Sequence, residues 1–441
     1  MICYIIDIPG PTASEISAQA EADVSTGRLA AGTRLPSVRD RASELGVSAS
    51  TVASAYRDLR RRGLVVGRAG QGTRVAPRAG PPALHAAAVP SGTVDALSGN
   101  PDLALLPPLS PALVRASVGV AARYGGPLFD QDLAEAARRI FTADGINADH
   151  LAVTSGALDA IDRVLAAQDL RPGDRIGVED PGHIPVHQLA RTAGLELVPL
   201  ALDEEGIRTE ALLSALDRGL AAVVVTPRAH NPTGAALTPR RAAAVDAVLA
   251  DHTEVVVIQD DHAGPVAGVD YVGLTPSGDR WATIRSLGKF LGPDLRLAVV
   301  AADRRTVDHV STAIGNGPGW VSHLLQRTAA HLLNDDSTSD LVREAAEAYR
   351  ERRDQLVAAL RDLGVAASGP SGLNVWIPVD DEQAAVEAAR GAGFAIRAAA
   401  PYRITSPPAV RVTVAALTDP EIDRLAAALA TGRSPRTAPP I

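Results

Sequence analysis

The sequence predicts a multidomain chain of two unlike parts. One is a small, mostly helical head that ends in a short β-hairpin. The other is a large α/β body on a mostly parallel central sheet, with a smaller α+β portion beside it. Three observations carry this. Apolar residues recur at helical spacing through residues 14–59 and give way to two short β runs around a Gly-rich turn. Residues 77–92, PRAGPPALHAAAVPSG, are Pro-, Gly- and Ala-rich and aperiodic, as linkers are. From about residue 95, Val- and Ile-rich runs alternate with helical stretches, the pattern of a parallel sheet covered on both faces.

Composition bounds the rest. At 441 residues the chain exceeds one typical domain. Its single cysteine, Cys3, excludes an intramolecular disulfide framework and fits a reducing compartment. No apolar run approaches the length of a membrane span, and MICYII is too short and lacks a basic leader to be a signal peptide. The expectation is a soluble, cytoplasmic protein with no membrane partner and no metal. The formal net charge is −8. Residues 1–80 hold 11 Arg against 7 Asp and Glu, whereas the remainder holds 32 basic and 44 acidic residues. A basic head on an acidic body points to a nucleic-acid contact confined to the N-terminus.

Within the head, Ile16, Ala20 and Val24 set one helix that ends at Gly27. A second helix starts after Pro36 and ends at Gly46. A third has Ser48 as its N-cap and presents Val52, Ala55, Tyr56 and Leu59 as its inward stripe. Helix, Gly-containing turn, helix is the helix-turn-helix pattern, and GLVVGRAGQGTRVAP follows as a wing. The stretch GTRLPSVRDRASELGVSASTVASAYRDLRRRGLV resembles the GntR family of winged-helix regulators at many spaced positions. That resemblance implies double-stranded operator DNA as a partner. It carries Arg34, Arg39, Ser48, Ser50 and Thr51 to the DNA side, with Gly70 and Gln71 in the wing. Hydroxyls and N–H groups at a helix N-terminus suit phosphate oxygens, and Arg suits phosphate or guanine edges. Many relatives carry Arg where this chain has Ala49, which removes one candidate base contact.

In the body, LAVTSG, RIGVED, LELVPL, AAVVVTP, EVVVIQDD, WATIRSLG and RLAVVAA read as strands. Ligands bind such sheets at the carboxyl ends of the strands, so the polar residues closing each run matter most. One closure contains Lys289, the only lysine; the other 42 of the 43 basic side chains are Arg. A composition rich in Ala, Arg, Gly and Pro lets surface lysines drift to arginine. The survivor should stand where guanidinium fails, because arginine cannot act as an amine nucleophile. TSGALDA ends another run with small residues opening a helix, a weak anion-site signal by itself.

TPRAHNPTG, then Asp260 29 residues after Asn231, then SLGKFLGPDLRL, together resemble the class I/II aminotransferases of pyridoxal 5'-phosphate (PLP) fold type I. Joined to the head, the chain resembles MocR-type regulators. The resemblance implies PLP as cofactor, with Lys289 as the Schiff-base lysine and Asp260 paired to the pyridine nitrogen. It gives Asn231 to the ring's 3-oxygen, and Ser155, Gly156, Ala157, Ser286 and Arg296 to the phosphate. Tyr124 would reach a neighbour subunit's phosphate in a homodimer, and Arg411 would grip the α-carboxylate of an amine or amino-acid effector. Relatives often carry Tyr where this chain has His183, stacked on the ring, and His262, near the 3-oxygen. Imidazole can serve in both places.

The domains are expected at 1–76 (head), 77–94 (linker) and 95–431 (body), with a disordered tail at 432–441. The body would divide into a large part, about 126–319, and a small one, about 95–125 plus 320–431. The implied function is a PLP-dependent transcriptional regulator that senses PLP or an amino compound at Lys289. The alternative is a catalytically active aminotransferase with a fused DNA-binding domain, and whether turnover occurs stays open.

Overall fold

The computed structural model describes residues 11–25, 28–30, 32–61, 64–68, 72–75, 89, 91–118 and 123–431. The tail, most of the linker, Gly70 and Gln71 lie outside them. Two compact units divide the chain, residues 1–85 and 86–441.

The head has helices at Ala13–Ser25, Val38–Leu45 and Ala49–Arg61, and antiparallel strands β1 (Val65–Arg68) and β2 (Gly72–Val75). Ser37 opens the second helix by accepting the Asp40 N–H, and Gly46 closes it in the left-handed region, at φ +64°. The predicted stripe is the core: Val52, Ala55, Tyr56 and Leu59 pack with Ile16, Leu35, Val65 and Val75. The Tyr56 hydroxyl donates to the Pro36 carbonyl at 3.1 Å, fixing the turn before the second helix.

The body's strands are β3 (Val94–Asp95), β4 (Leu151–Thr154), β5 (Arg175–Asp180), β6 (Glu196–Asp203), β7 (Gly206–Ile207), β8 (Leu220–Val225), β9 (Val256–Asp261), β10 (Trp281–Ser286), β11 (Ala298–Ala302), β12 (Asn374–Pro378), β13 (Phe394–Ala395), β14 (Arg397–Ala398) and β15 (Ala409–Thr413). An eight-stranded sheet runs β4-β11-β10-β9-β8-β5-β6-β7. All seven runs named from the sequence are strands of it. Their residues alternate between faces: Ala152, Ile176, Val224, Ile258, Ile284 and Val300 share one core, and Val198, Val223, Val225 and Val257 another.

Two strands depart from parallel, β11 within the sheet and β7 at its edge. β11 lies antiparallel between β10 and β4. Only residues 287–297 join it to β10, too few for a crossover helix. β7 adds a two-residue hairpin at the far edge.

A second layer holds the antiparallel sheet β12-β15-β14, helices Glu382–Gly391 and Asp419–Thr431, and the short parallel pair β3 and β13. The long helix Asp336–Asp362 serves both layers. Val342, Ala345 and Tyr349 belong to the large core, Leu356 and Leu360 to the small one. The small core therefore begins inside this helix, past the division near residue 320 that the sequence suggests. Among the described residues, no helix is long and apolar enough to cross a membrane.

Candidate cofactor and effector site

Strand ends bring the predicted residues of the body together. Lys289 sits on the one-turn helix Gly288–Leu291 that follows β10. Its amine donates to the Gly99 carbonyl at 2.5 Å. Burial, with the Arg411 guanidinium adding to it, pulls the amine down to about 8. Asp260, at the end of β9, is 3% exposed. Burial, reinforced by Asp261 and Glu179, pushes its carboxyl up to about 7. Its Oδ1 has no hydrogen-bond partner among the described residues. A buried carboxylate oxygen left unpaired asks for a donor from outside the chain.

The anion cradle stands where β4 ends. Ser155 and Gly156 lead into the helix Ala157–Ala166. Gly156 has φ +106°, and a Cβ there would lie 2.9 Å from the Arg296 guanidinium, so glycine alone lets that cation rest on the loop. Arg296 is exposed, and its own φ of +47° turns the chain sharply after the short helix. Ser286 accepts the Gly288 N–H at 3.3 Å. The Ser155 N–H is already held by Asp159 at 2.9 Å, so that amide contributes less to an anion than its position suggests.

Near Lys289 two imidazoles form a flat slot. The rings of His183 and His262 are parallel within 6°, with centroids 6.3 Å apart. Two layers of carbon contact need about 7 Å, so a slight opening admits one planar ring. Burial and surrounding cations hold His183 well below the ordinary histidine range, and burial takes His262 down to about 4. Both rings are therefore neutral at physiological pH. Asn231 joins the two halves of the site: its amide nitrogen meets His183 Nδ1 at 3.0 Å, and its oxygen accepts from Arg411 at 3.0 Å. Arg411, on β15, is 3% exposed, lies over the Tyr402 ring and also donates to the Leu97 carbonyl. Its Nε has no partner among the described residues.

Tyr124 is not part of this cluster within the single chain. It is 93% exposed and packs edge-on against Trp320. Sequence reading missed Leu97 and Gly99, which act through backbone carbonyls and leave no side-chain signature. It also missed Glu179, although RIGVED closes a strand with two acids. Glu179 accepts from both the N–H and the hydroxyl of Thr226 and lies 3.3 Å from His230.

In the head, Arg34, Arg39, Ser48 and Ser50 are exposed and Thr51 is half-buried. Ser48 Oγ accepts the Thr51 N–H at 3.1 Å and meets the Ser50 and Thr51 hydroxyls at 2.7 and 2.8 Å. Three hydroxyls thus cluster at the start of the third helix. Arg34 lies across the wing against Gly72, whose φ is +77°. No group of three or more metal-ligating side chains is placed to hold a metal ion among the described residues.

Residues 98–429 match the family described as aminotransferase class I and II. The chain belongs to that family. Residues 12–75 match the gntR family of bacterial regulatory proteins. Over 423 residues the chain is 38% identical to the vitamin B6 salvage pathway transcriptional repressor PtsJ of Salmonella typhimurium, covering 95% of this chain and 98% of that one. It is 24% identical over 422 residues to the probable rhizopine catabolism regulatory protein MocR of Rhizobium meliloti, covering 86% and 82%. The fold matches a Pyrococcus horikoshii kynurenine aminotransferase with a TM-score of 0.70 at 21% identity, over 78% of this chain and 91% of that one. Homologues with both parts are thus transcriptional regulators of the MocR type, on a body with the aminotransferase fold.

PLP is the cofactor this fold implies, and the residues present fit it. The orphaned Asp260 oxygen suits a protonated ring nitrogen, the imidazole slot suits a flat ring, and Gly156 with Arg296 suits a phosphate.

Proposed function

We propose that this protein is a PLP-responsive transcriptional regulator that acts as a homodimer on operator DNA. The observation that carries the reading is the pairing of Lys289, the only lysine and one with a lowered pKa, with the unpartnered Asp260 at one strand-end site. When bound, PLP supplies an aldehyde carbon open to attack by a primary amine, and an electron-withdrawing ring. Lys289 presents a neutral amine at a useful fraction near neutral pH. Asp260, once facing a cation, returns to the carboxylate form and holds that cation in place. His183 and His262 exclude water from the ring faces, and Ser286, Arg296 and the helix Ala157–Ala166 orient the phosphate.

The near full-length similarity to a repressor of vitamin B6 salvage supports PLP itself as the effector. Arg411, buried with an unpartnered Nε, supports the second possibility, an amino compound with a carboxylate. Tyr124 and the other exposed apolar side chains Val114, Val118 and Leu324 support pairing of two bodies, which a head that reads paired half-sites needs. Ser48, Ser50, Thr51, Arg34 and Arg39 would form the DNA face of the head; the expected wing contacts Gly70 and Gln71 lie outside the described residues.

The test is a PLP titration followed by visible absorbance, with borohydride reduction and mass measurement, alongside operator affinity with and without PLP. Wild type should capture PLP covalently, and Lys289→Arg should not. PLP should change operator affinity several-fold. An Arg variant that still carries a borohydride-fixed adduct would overturn the assignment of Lys289. Robust keto-acid release over many turnovers with PLP-independent DNA binding would favour the aminotransferase reading instead.

A further inference from the structure

Residues 94–99 hold both cations of the site at once. Lys289 comes from the large layer and donates to the Gly99 carbonyl; Arg411 comes from the small layer and donates to the Leu97 carbonyl. The segment has little slack. Its base is stitched to the small layer by Val94 N–H to Gly393 O at 2.9 Å, Ala96 N–H to Ala395 O at 3.0 Å, and Thr413 N–H to Ala96 O at 2.9 Å. The last of these bonds joins it to β15, the strand that carries Arg411. Its tip is a turn closed by Asp95, whose Oδ1 accepts the N–H groups of Leu97 and Ser98 at 2.9 Å each, and whose Oδ2 accepts the Ser98 hydroxyl. Gly99 takes φ +71°, a left-handed conformation that aims its carbonyl at the amine without a Cβ penalty.

We propose that this segment is a ligand-gated strap: PLP entry removes its contacts with Lys289 and Arg411, and its release is how occupancy reaches the DNA-binding head. The proposal rests on the PLP-binding reading above and adds the route. Condensation of the Lys289 amine with an aldehyde forms a C=N bond and expels the aldehyde oxygen as water together with the two amine protons. A neutral C=N nitrogen has no proton to donate, so the Gly99 contact is lost. Arg411 holds Leu97 by a bond to a neutral carbonyl, and a bond from guanidinium to an anionic group is roughly twice as strong. A carboxylate-bearing effector would displace Leu97 for that reason. For PLP alone, loss of the Gly99 contact frees the tip and loosens the Asp95 turn, so the Leu97 and Ser98 N–H bonds to Asp95 open more often and the Leu97 carbonyl shifts with them. In the sequence the strap follows directly on the expected linker at 77–94: the gntR-family match ends at residue 75, and the aminotransferase match starts at 98. A strap with two positions is the kind of two-state element that both the ligand and the DNA can bias.

The experiment uses the full chain and PLP as the probe. Amide hydrogen exchange of peptides covering residues 94–101 is followed with and without PLP, and operator affinity is measured in parallel for wild type, Asp95→Ala and Ser98→Ala. Neither substituted side chain hydrogen-bonds a cofactor residue; the Asp95 charge also acts on Arg411, whereas the Ser98 hydroxyl carries none. In wild type, exchange at 97–100 should rise at least about five-fold on PLP addition, the low end of ordinary coupling between sites. Asp95→Ala should bind PLP within about two-fold of wild type, yet lose most of the PLP-dependent change in operator affinity. Ser98→Ala, a milder change that removes the hydroxyl's bond to Asp95 and the one it accepts from the Asn100 N–H, should lose part of it, and decides the matter if Asp95→Ala does not fold. Unchanged exchange at 97–100, or variants that keep the full PLP response, would overturn the strap while leaving PLP sensing intact. Absence of PLP binding by wild type would overturn both readings together.

Discussion

Asp260 and Asp261 are adjacent on β9 and equally buried, yet their electrostatics are opposite. Asp261 faces a closed set of partners. Arg228 makes two bonds to it at 2.9 and 3.0 Å, Arg285 one at 2.6 Å, and Asp144 balances the second guanidinium at 2.7 Å. Despite its burial, the two arginines hold its carboxyl below the usual range. Asp260, on the other side of the strand, has no cation of its own and is driven up to about 7. Burial of a carboxylate is thus not the mark of function. The mark is burial without compensation, which folding alone does not favour and which a cationic ligand would relieve.

The largest effect should come from the compensated side. Asp261→Asn leaves two buried guanidinium groups short of a counter-charge, and breaking such a set costs about 3–5 kcal/mol. Chemical denaturation should show it. If stability barely moves, the two carboxylates are not opposites and the comparison fails.

Asp260→Asn should behave in the reverse sense. The folded-state pKa, about 7, lies above the ordinary carboxyl value of 3.8. The unfolded chain therefore releases its proton first, and this group lowers stability as pH rises from about 4 to about 7, then by a constant amount above. Without ligand, the Asn variant should match or exceed wild type in Tm at pH 8 and lose that part of the pH dependence. Its PLP affinity should fall by at least about ten-fold, the loss of one charge-assisted bond. A variant destabilised at pH 8 would show that Asp260 is structural.

The smallest effect sharpens the role of Lys289. Capture of PLP needs the neutral amine, so the rate should climb about five-fold between pH 7 and 8 and level off above, as an amine with a pKa near 8 dictates. Stopped-flow absorbance reads it. A rate still rising at pH 10 would mean an ordinary, well-solvated lysine.

The fold was legible because its signals are local. The stripe Val52, Ala55, Tyr56, Leu59 and the seven strand runs each follow from residue periodicity, which burial then enforces. The reversed direction of β11 was not legible: β strands carry no sign of polarity in their composition, and only the short 287–297 connection dictates it. The site divides the same way. Lys289, Asp260, Asn231 and Arg411 were readable as side-chain chemistry at strand ends, and they converge. Gly99 and Leu97 take part through carbonyls that every residue has, so only their placement reveals them. The parallel setting of His183 and His262 is likewise a property of two loops meeting, 79 positions apart in the chain.

The solitary lysine has a practical corollary. A chain with a single ε-amine is its own site-specific reporter: any lysine-directed acylating reagent can modify only Lys289, apart from the N-terminus. A lysine-specific protease has one bond to cut, giving fragments 1–289 and 290–441. Lys289 is half-buried as a residue, and its amine is held by the Gly99 carbonyl. Acylation of the purified protein therefore reads how often this amine stands accessible, whereas cleavage after Lys289, beside the buried Phe290 and Leu291, reads local unfolding of the strand end.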